Sequence, residues 1–179
     1  MLRKDKTGLV VIDVQGKLAS IVHDSEAFIA NLVKLVKAAK LLGMPILWLE
    51  QNPEKLGATV PELREVLDTV KPIAKYSFSA CGEPDFIDAV KKAKMNSWLI
   101  TGIETHICVY QTALGLLDLG YDVELVSDCV SSRTIENKVM ALDKLARKGA
   151  EVTSLEMCLF ELIGDCRADE FRGALSLIK

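Results

Sequence analysis

The sequence predicts an α/β fold: a three-layer α/β/α sandwich around a mostly parallel, roughly six-stranded, doubly wound sheet. Three observations carry that prediction. Short continuous apolar runs such as Leu9-Val10-Val11-Ile12 have the look of strands buried on both faces of a parallel sheet. Longer stretches between them place apolar residues at helical spacing. The two kinds alternate from end to end, and parallel strands joined by helices wind right-handedly into layers. The 179 residues suit one domain, 1–179, with no internal repeat, low-complexity tract or linker.

In chain order, Gly8–Asp13 reads as the first strand, closed by an acid. Asp13 then stands at the carboxyl edge of the sheet, where open α/β sheets bind ligands, although an Asp there also forms turns or caps helices. Val14-Gln15-Gly16 does not supply G-x-G-x-x-G, so a dinucleotide-binding turn is missing. Asp24-Ser25-Glu26 offers acceptors for a helix start. Phe28, Ile29, Leu32, Val33, Leu35, Val36 and Ala39 then form one broad face, closed by Gly43. Pro45–Leu49 is a second strand, Asn52–Gly57 a loop, and Thr59 or Pro61 leads the next helix. Pro72–Lys75 is a short third strand ending in a lysine. Ser77–Gly82 forms a second loop before a helix through Phe86, Ile87, Val90 and Ala93. Trp98-Leu99-Ile100-Thr101 is a fourth strand, Gly102 a tight turn, and an apolar-periodic helix then opens near Cys108 and stops at Gly120. Val123–Val126 is strand five, with Ser127-Asp128-Cys129 turning into a loop. A helix through Val139, Leu142 and Leu145 ends at Gly149, Val152 belongs to a short last strand, and Leu155–Leu162 and Phe171–Ile178 are closing helices.

The formal net charge of −3 supplies no basic surface, so neither nucleic acid nor an anionic membrane is an expected partner. No run is long enough to cross a bilayer, and Met1–Lys6 resembles no secretory signal, so a cytoplasmic protein is expected. The five cysteines form no CxxC pair and read as free thiols. With His23 and His106 the only histidines, no metal site and no cofactor are expected.

Chemistry concentrates at the carboxyl ends of the strands. The dipole of a helix N-terminus favours a thiolate at Cys108, and free N–H groups there can hold a second anion; the plain alternative is a small buried hydrophobe. The fold brings Asp13, Lys75 and Cys108 to one edge of the sheet. An ammonium beside a thiol stabilises the thiolate, a carboxylate can carry the thiol proton to a leaving group, and backbone N–H groups can stabilise an oxyanion. Lys75 by itself reads as a solvated strand end.

These residues sit in Val11-Ile12-Asp13-Val14-Gln15, Lys75-Tyr76-Ser77-Phe78-Ser79, Gly102-Ile103-Glu104-Thr105-His106-Ile107-Cys108-Val109 and Asp128-Cys129-Val130-Ser131-Ser132-Arg133. Along its whole length the sequence resembles the isochorismatase-like hydrolases, also called cysteine hydrolases. The resemblance implies a triad of Asp13 as general base and acid, Lys75 holding charge, and Cys108 as nucleophile. It also implies a cis peptide between Ile103 and Glu104, aiming the backbone N–H groups of Glu104 and Cys108 at the oxyanion. Nicotinamidases of the family carry an Asp-x-His metal motif after strand two; here Glu50–Gly57 takes its place without a histidine. Cys108 in turn argues against isochorismate, whose vinyl ether needs no thiol. Glu50-Gln51-Asn52-Pro53-Glu54-Lys55-Leu56-Gly57 and Leu159-Phe160-Glu161-Leu162 resemble instead the metal-free, isochorismatase-domain-containing subgroup.

Gln15, Gln51, Phe78 and His106 are expected to line the substrate pocket, the two glutamines as amide-recognising groups. His106 also reads as an exposed loop residue. Cys81 is the rival thiol; Cys129, Cys158 and Cys166 read as packing, and Trp48 as core. Ser131-Ser132-Arg133 reads as an acid-binding turn, a plain turn, or an interface ion pair. The function expected is metal-independent hydrolysis of a small amide-like C–N bond through a thioester on Cys108. Two other readings stand beside it: a catalytically idle scaffold, and a redox-sensing thiol with Cys81 as resolving partner. A small-molecule substrate and a homo-oligomer, using apolar surface on the closing helices, complete the expectation.

Overall fold

In the computed structural model, which describes all 179 residues, β1 (Thr7–Ile12) is buried along its whole length. Its side chains alternate between two cores. Leu9 and Val11 belong to one, and Val10 and Ile12 to the other. Both faces of the strand are covered, so an unbroken apolar run costs nothing in exposed surface. Five more strands follow: β2 (Ile46–Gln51), β3 (Pro72–Lys75), β4 (Ser97–Ile103), β5 (Asp122–Ser131) and β6 (Glu151–Thr153). All pair in parallel, in the order β3-β2-β1-β4-β5-β6.

The first core packs against α1 (Gly16–Ile21), α2 (Ser25–Leu41), α4 (Pro61–Val66), α8 (Leu155–Ile163) and α9 (Phe171–Ile178). Before α4, Pro53–Leu56 makes one helical turn, α3. The second core packs against α5 (Pro84–Ala93), α6 (Tyr110–Asp118) and α7 (Ile135–Ala146). The three layers are complete, and none of the helices is long and apolar enough to cross a membrane.

Three local readings need correction. Gly102 does not end strand four in a turn: β4 runs through it to Ile103. Ser127-Asp128-Cys129 is not a loop, because β5 continues to Ser131. A register shift between Ile100 and Gly102 lets Val130 and Ser131 pair with Gly102 and Ile103. The polar character that suggested a loop serves a tertiary contact, since Asp128 Oδ1 accepts the Leu155 N–H at the start of α8. Asn52–Gly57 contains a helical turn, with Pro53 at its first position, where a missing N–H is harmless.

The chain leaves β1 outward to β2 and β3, then returns to lay β4 on the other side of β1. Between β1 and β4 is therefore the switch point at which parallel sheets open a crevice at their carboxyl ends. The two strands approach closely there. Gly102 has φ +110°, and a Cβ on it would lie 2.0 Å from the Ile12 carbonyl oxygen. Backbone cannot yield as a flexible side chain does. Gly102→Ala is expected to cost about 3 kcal/mol or more in urea denaturation. A loss under about 1 kcal/mol, the cost of a plain loss of glycine freedom, would refute the close approach.

Candidate active site

Asp13 directly follows β1 and takes a left-handed backbone conformation, φ 54°, which turns its side chain over the end of the sheet. Asp tolerates this region better than most residues, and such conformations cluster at functional sites. Lys75 arrives from the opposite direction. β3 is an edge strand with Pro72 and Ala74 exposed, yet its last residue is buried completely. The Lys75 ammonium reaches past the end of β2, and its Nζ stands 2.8 Å from Asp13 Oδ2. This is a close ion pair whose angles fall outside hydrogen-bond geometry, so neither Asp13 oxygen has a formal donor.

The other partners of Lys75 are well placed. Nζ donates to Gln51 Oε1 at 2.6 Å and to the Ser77 and Phe78 carbonyls at 3.1 Å each. A buried ammonium without such partners would be strongly penalised. Glu83 shapes the loop that supplies the carbonyls, accepting from the Tyr76 N–H, the Ser77 N–H and the Ser77 hydroxyl.

Cys108 lies in a π-helical turn, Thr105–Val109, that opens α6 after β4. Such wide turns recur at functional sites. The Ile103–Glu104 peptide is cis. The Glu104 carbonyl accepts from Ile107 N and Val109 N, while the Glu104 N–H makes no hydrogen bond within the chain. The thiol shares the cavity wall with Asp13 and feels the charges of both Asp13 and Lys75. Burial first, and the Asp13 charge second, push it up to about 12, with Lys75 opposing. Burial also raises Asp13 above the ordinary carboxylate range, against the pull of Lys75. Burial and the Asp13 charge thus oppose the helix-end thiolate expected from the sequence, and Lys75 favours it.

Together with Cys108, the residues Asp13, Gln51, Phe78, Ile103 and Glu104 line a cavity of about 110 Å³. Leu18, Leu56 and Ile107 complete its wall; the sequence reading missed these three. Leu18 sits on α1 and Leu56 on α3, both elements outside the predicted set, so no periodicity pointed to them.

Gln51 borders the cavity, but its amide is engaged, Oε1 by Lys75 and Nε2 by the Tyr76 carbonyl. Gln15 is not at the cavity. It is fully buried, donating to the Gln51 and Gly57 carbonyls and accepting the Gln51 N–H, so it fastens β2 to the loop after it. His106 also lies off the cavity lining, half-buried, with Nδ1 3.0 Å from Ser132 Oγ. Arg133 binds within its own chain: Nε donates to Glu104 Oε1 at 2.8 Å, which turns that carboxylate aside. Trp48 is core, as read, with its indole N–H on Thr59 Oγ1. Cys81 packs against Gly115 of α6, its sulfur towards the Thr112 carbonyl, away from the cavity wall. No three His, Cys, Asp or Glu side chains are grouped to hold a metal ion.

Comparison with known proteins gives a consistent neighbourhood. The family model described as Isochorismatase domain matches residues 7–157. A secreted isochorismatase effector, Isc1, of Phytophthora sojae is 39% identical over 96% of this chain and 83% of its own length. Among solved structures, a MAR1 ribonuclease from Caenorhabditis elegans superposes with TM-score 0.93 at 35% identity, covering 99% of this chain and 91% of that one. The YcaC protein of Escherichia coli, an octameric hydrolase of unknown specificity, superposes with TM-score 0.92 at 27% identity, covering 99% and 88%.

Two measurements test this geometry. Lys75→Met is expected to lose about 3–5 kcal/mol by leaving Asp13 buried and unpaired, and adding Asp13→Asn should restore part of it. A double variant less stable than the single would contradict the pair. Because the Cys108 thiol is raised, its alkylation by iodoacetamide should climb with pH beyond 9, and at pH 7 should lag behind that of the exposed Cys166. A rate plateau for Cys108 below pH 8 would mean a preformed thiolate.

Proposed function

This chain belongs to the isochorismatase domain family, and on that footing we propose that it is a metal-independent cysteine hydrolase acting on a small amide C–N bond. One observation carries the reading: a thiol, a buried carboxylate and a buried ammonium converge at the sheet's switch point, on a small cavity.

The chemistry runs as a thioester cycle. Asp13 takes the Cys108 proton as Sγ bonds to the amide carbon, and the oxygen gains charge beside the backbone N–H groups of Glu104 and Cys108. The C–N bond breaks as Asp13 passes its proton to the leaving nitrogen. Water then attacks the thioester and gives a proton to Asp13. The C–S bond breaks, the thiol is re-formed and a carboxylic acid departs. Throughout, Lys75 offsets the charge on Asp13, opposing the burial that would otherwise keep the base protonated.

An RNA substrate, as the name of the nematode relative would suggest, is disfavoured here. The net charge is −3, and the one ammonium at the cavity is buried and fully engaged. Self-assembly belongs to the proposal, supported by the octameric relative from Escherichia coli. Exposed apolar side chains stand on α7, at Val139 and Met140, and on α8, at Met157, while Leu155, Leu159, Leu162 and Ala174 of the closing helices turn inward. The five cysteines are all free, which supports a reducing, cytoplasmic setting.

Acid-quenched enzyme incubated with simple primary amides should carry an acyl mass on the Cys108 peptide. Cys108→Ser should lower kcat by a factor on the order of 10³ or more. Activity should fall on the acid side at a pH above the usual carboxylate range, because Asp13 must be ionised and its value is raised. Full turnover by Cys108→Ser would sink the proposal.

A further inference from the structure

The wall of the cavity specifies more than a reaction type. Its volume is about 110 Å³. An apolar cavity of about 150 Å³ accommodates benzene, with six carbons, so this one suits about four or five non-hydrogen atoms in all. The reacting amide takes three of them. Few remain for the acyl chain.

The polar atoms on the wall are already committed. Gln51 gives Oε1 to Lys75 and Nε2 to the Tyr76 carbonyl. Glu104 is drawn to Arg133. Asp13 and Cys108 carry the proposed chemistry, and every partner of the Lys75 ammonium is internal. What remains to meet the substituent is aliphatic and aromatic: Leu18, Leu56, Ile107 and Phe78. A charged substituent would be desolvated without a partner, and an anionic one would also face Asp13 and Glu104. Phe78 is half-exposed at the rim, so it sets the length limit where the cavity opens to solvent.

We propose that the substrate is a short, uncharged aliphatic primary amide, with an acyl chain of two or three carbons, and that Phe78 limits the chain length. This rests on the cysteine-hydrolase reading above. The balance is simple: amide and water give the short carboxylic acid and ammonia, with the acyl group passing through Cys108.

The test has two arms. In the first, ammonia release is measured for acetamide, propionamide, butyramide and hexanamide, with glycinamide as the cationic counterpart of propionamide and oxamate as an anionic amide. The expected result is a maximum of kcat/KM at acetamide or propionamide, and a fall of at least about tenfold by hexanamide, since a misfitting methylene is worth about 10-fold or more. Glycinamide and oxamate should be at least as disfavoured, and Phe78→Ala should move the optimum to a longer chain. Preference for a long or charged amide overturns the inference and leaves the hydrolase reading standing. No acylation of Cys108 by any of these amides overturns both.

The second arm reads the cavity without turnover. Iodoacetamide and iodoacetate have the same size and differ in charge. The ratio of their alkylation rates at Cys108, at pH 9, should exceed the ratio at the exposed Cys166 of the same molecule by about tenfold. Equal ratios at the two cysteines overturn the exclusion of charge.

Discussion

Placing an ammonium where no water reaches it is the constraint around which this site is built. Lys75 is the one buried residue of an edge strand, and its charge must be matched entirely by protein groups. That requirement fixes four pieces of chain at once. β1 must end in a carboxylate, β2 must end in an amide whose oxygen points at Nζ, and the loop after β3 must turn two carbonyls inward. Glu83 then has to hold that loop by its own N–H groups. Residues that never touch a substrate are in this way recruited by the desolvation of one nitrogen.

The second constraint is steric. β1 and β4 come together at the switch point so closely that the backbone of Gly102 lies where no Cβ could stand. The approach puts the chain after β4 beside the chain after β1. A thiol carried on the π-helical turn can therefore meet a carboxylate carried on a left-handed residue. The same burial, with the Asp13 charge, raises the proton affinity of the thiol against the pull of Lys75. A low-dielectric site with a matched base is well suited to attack that is coupled to proton transfer.

Charged and apolar groups occupy different layers of the same cavity. The floor is ionic, with Lys75 held by Asp13, Gln51 and two carbonyls, whereas the wall is apolar and supplied by α1, α3, the loop after β3 and the π-helical turn. The partners of the Lys75 ammonium come from separate pieces of chain, so together they fix its position. An apolar wall discriminates mainly by volume, which leaves it free to change without disturbing the ionic floor.

The sequence alone determined the layered fold, the alternation of strands and helices along the chain and the gathering of Asp13, Lys75 and Cys108 at one edge. Apolar runs of strand length and faces of period 3.6 report burial directly, and parallel connections then dictate which strand ends coincide. Only the tertiary structure decided that Gln15 fastens a loop rather than a ligand, that His106 turns to Ser132, and that β5 continues through Ser127-Asp128-Cys129. It also decided how deeply the thiol is buried and that the cavity is small. The physical reason is common to all of these. Amide orientation, proton affinity and cavity size depend on atoms from four or more chain segments meeting within a few ångströms, and no local pattern carries that distance.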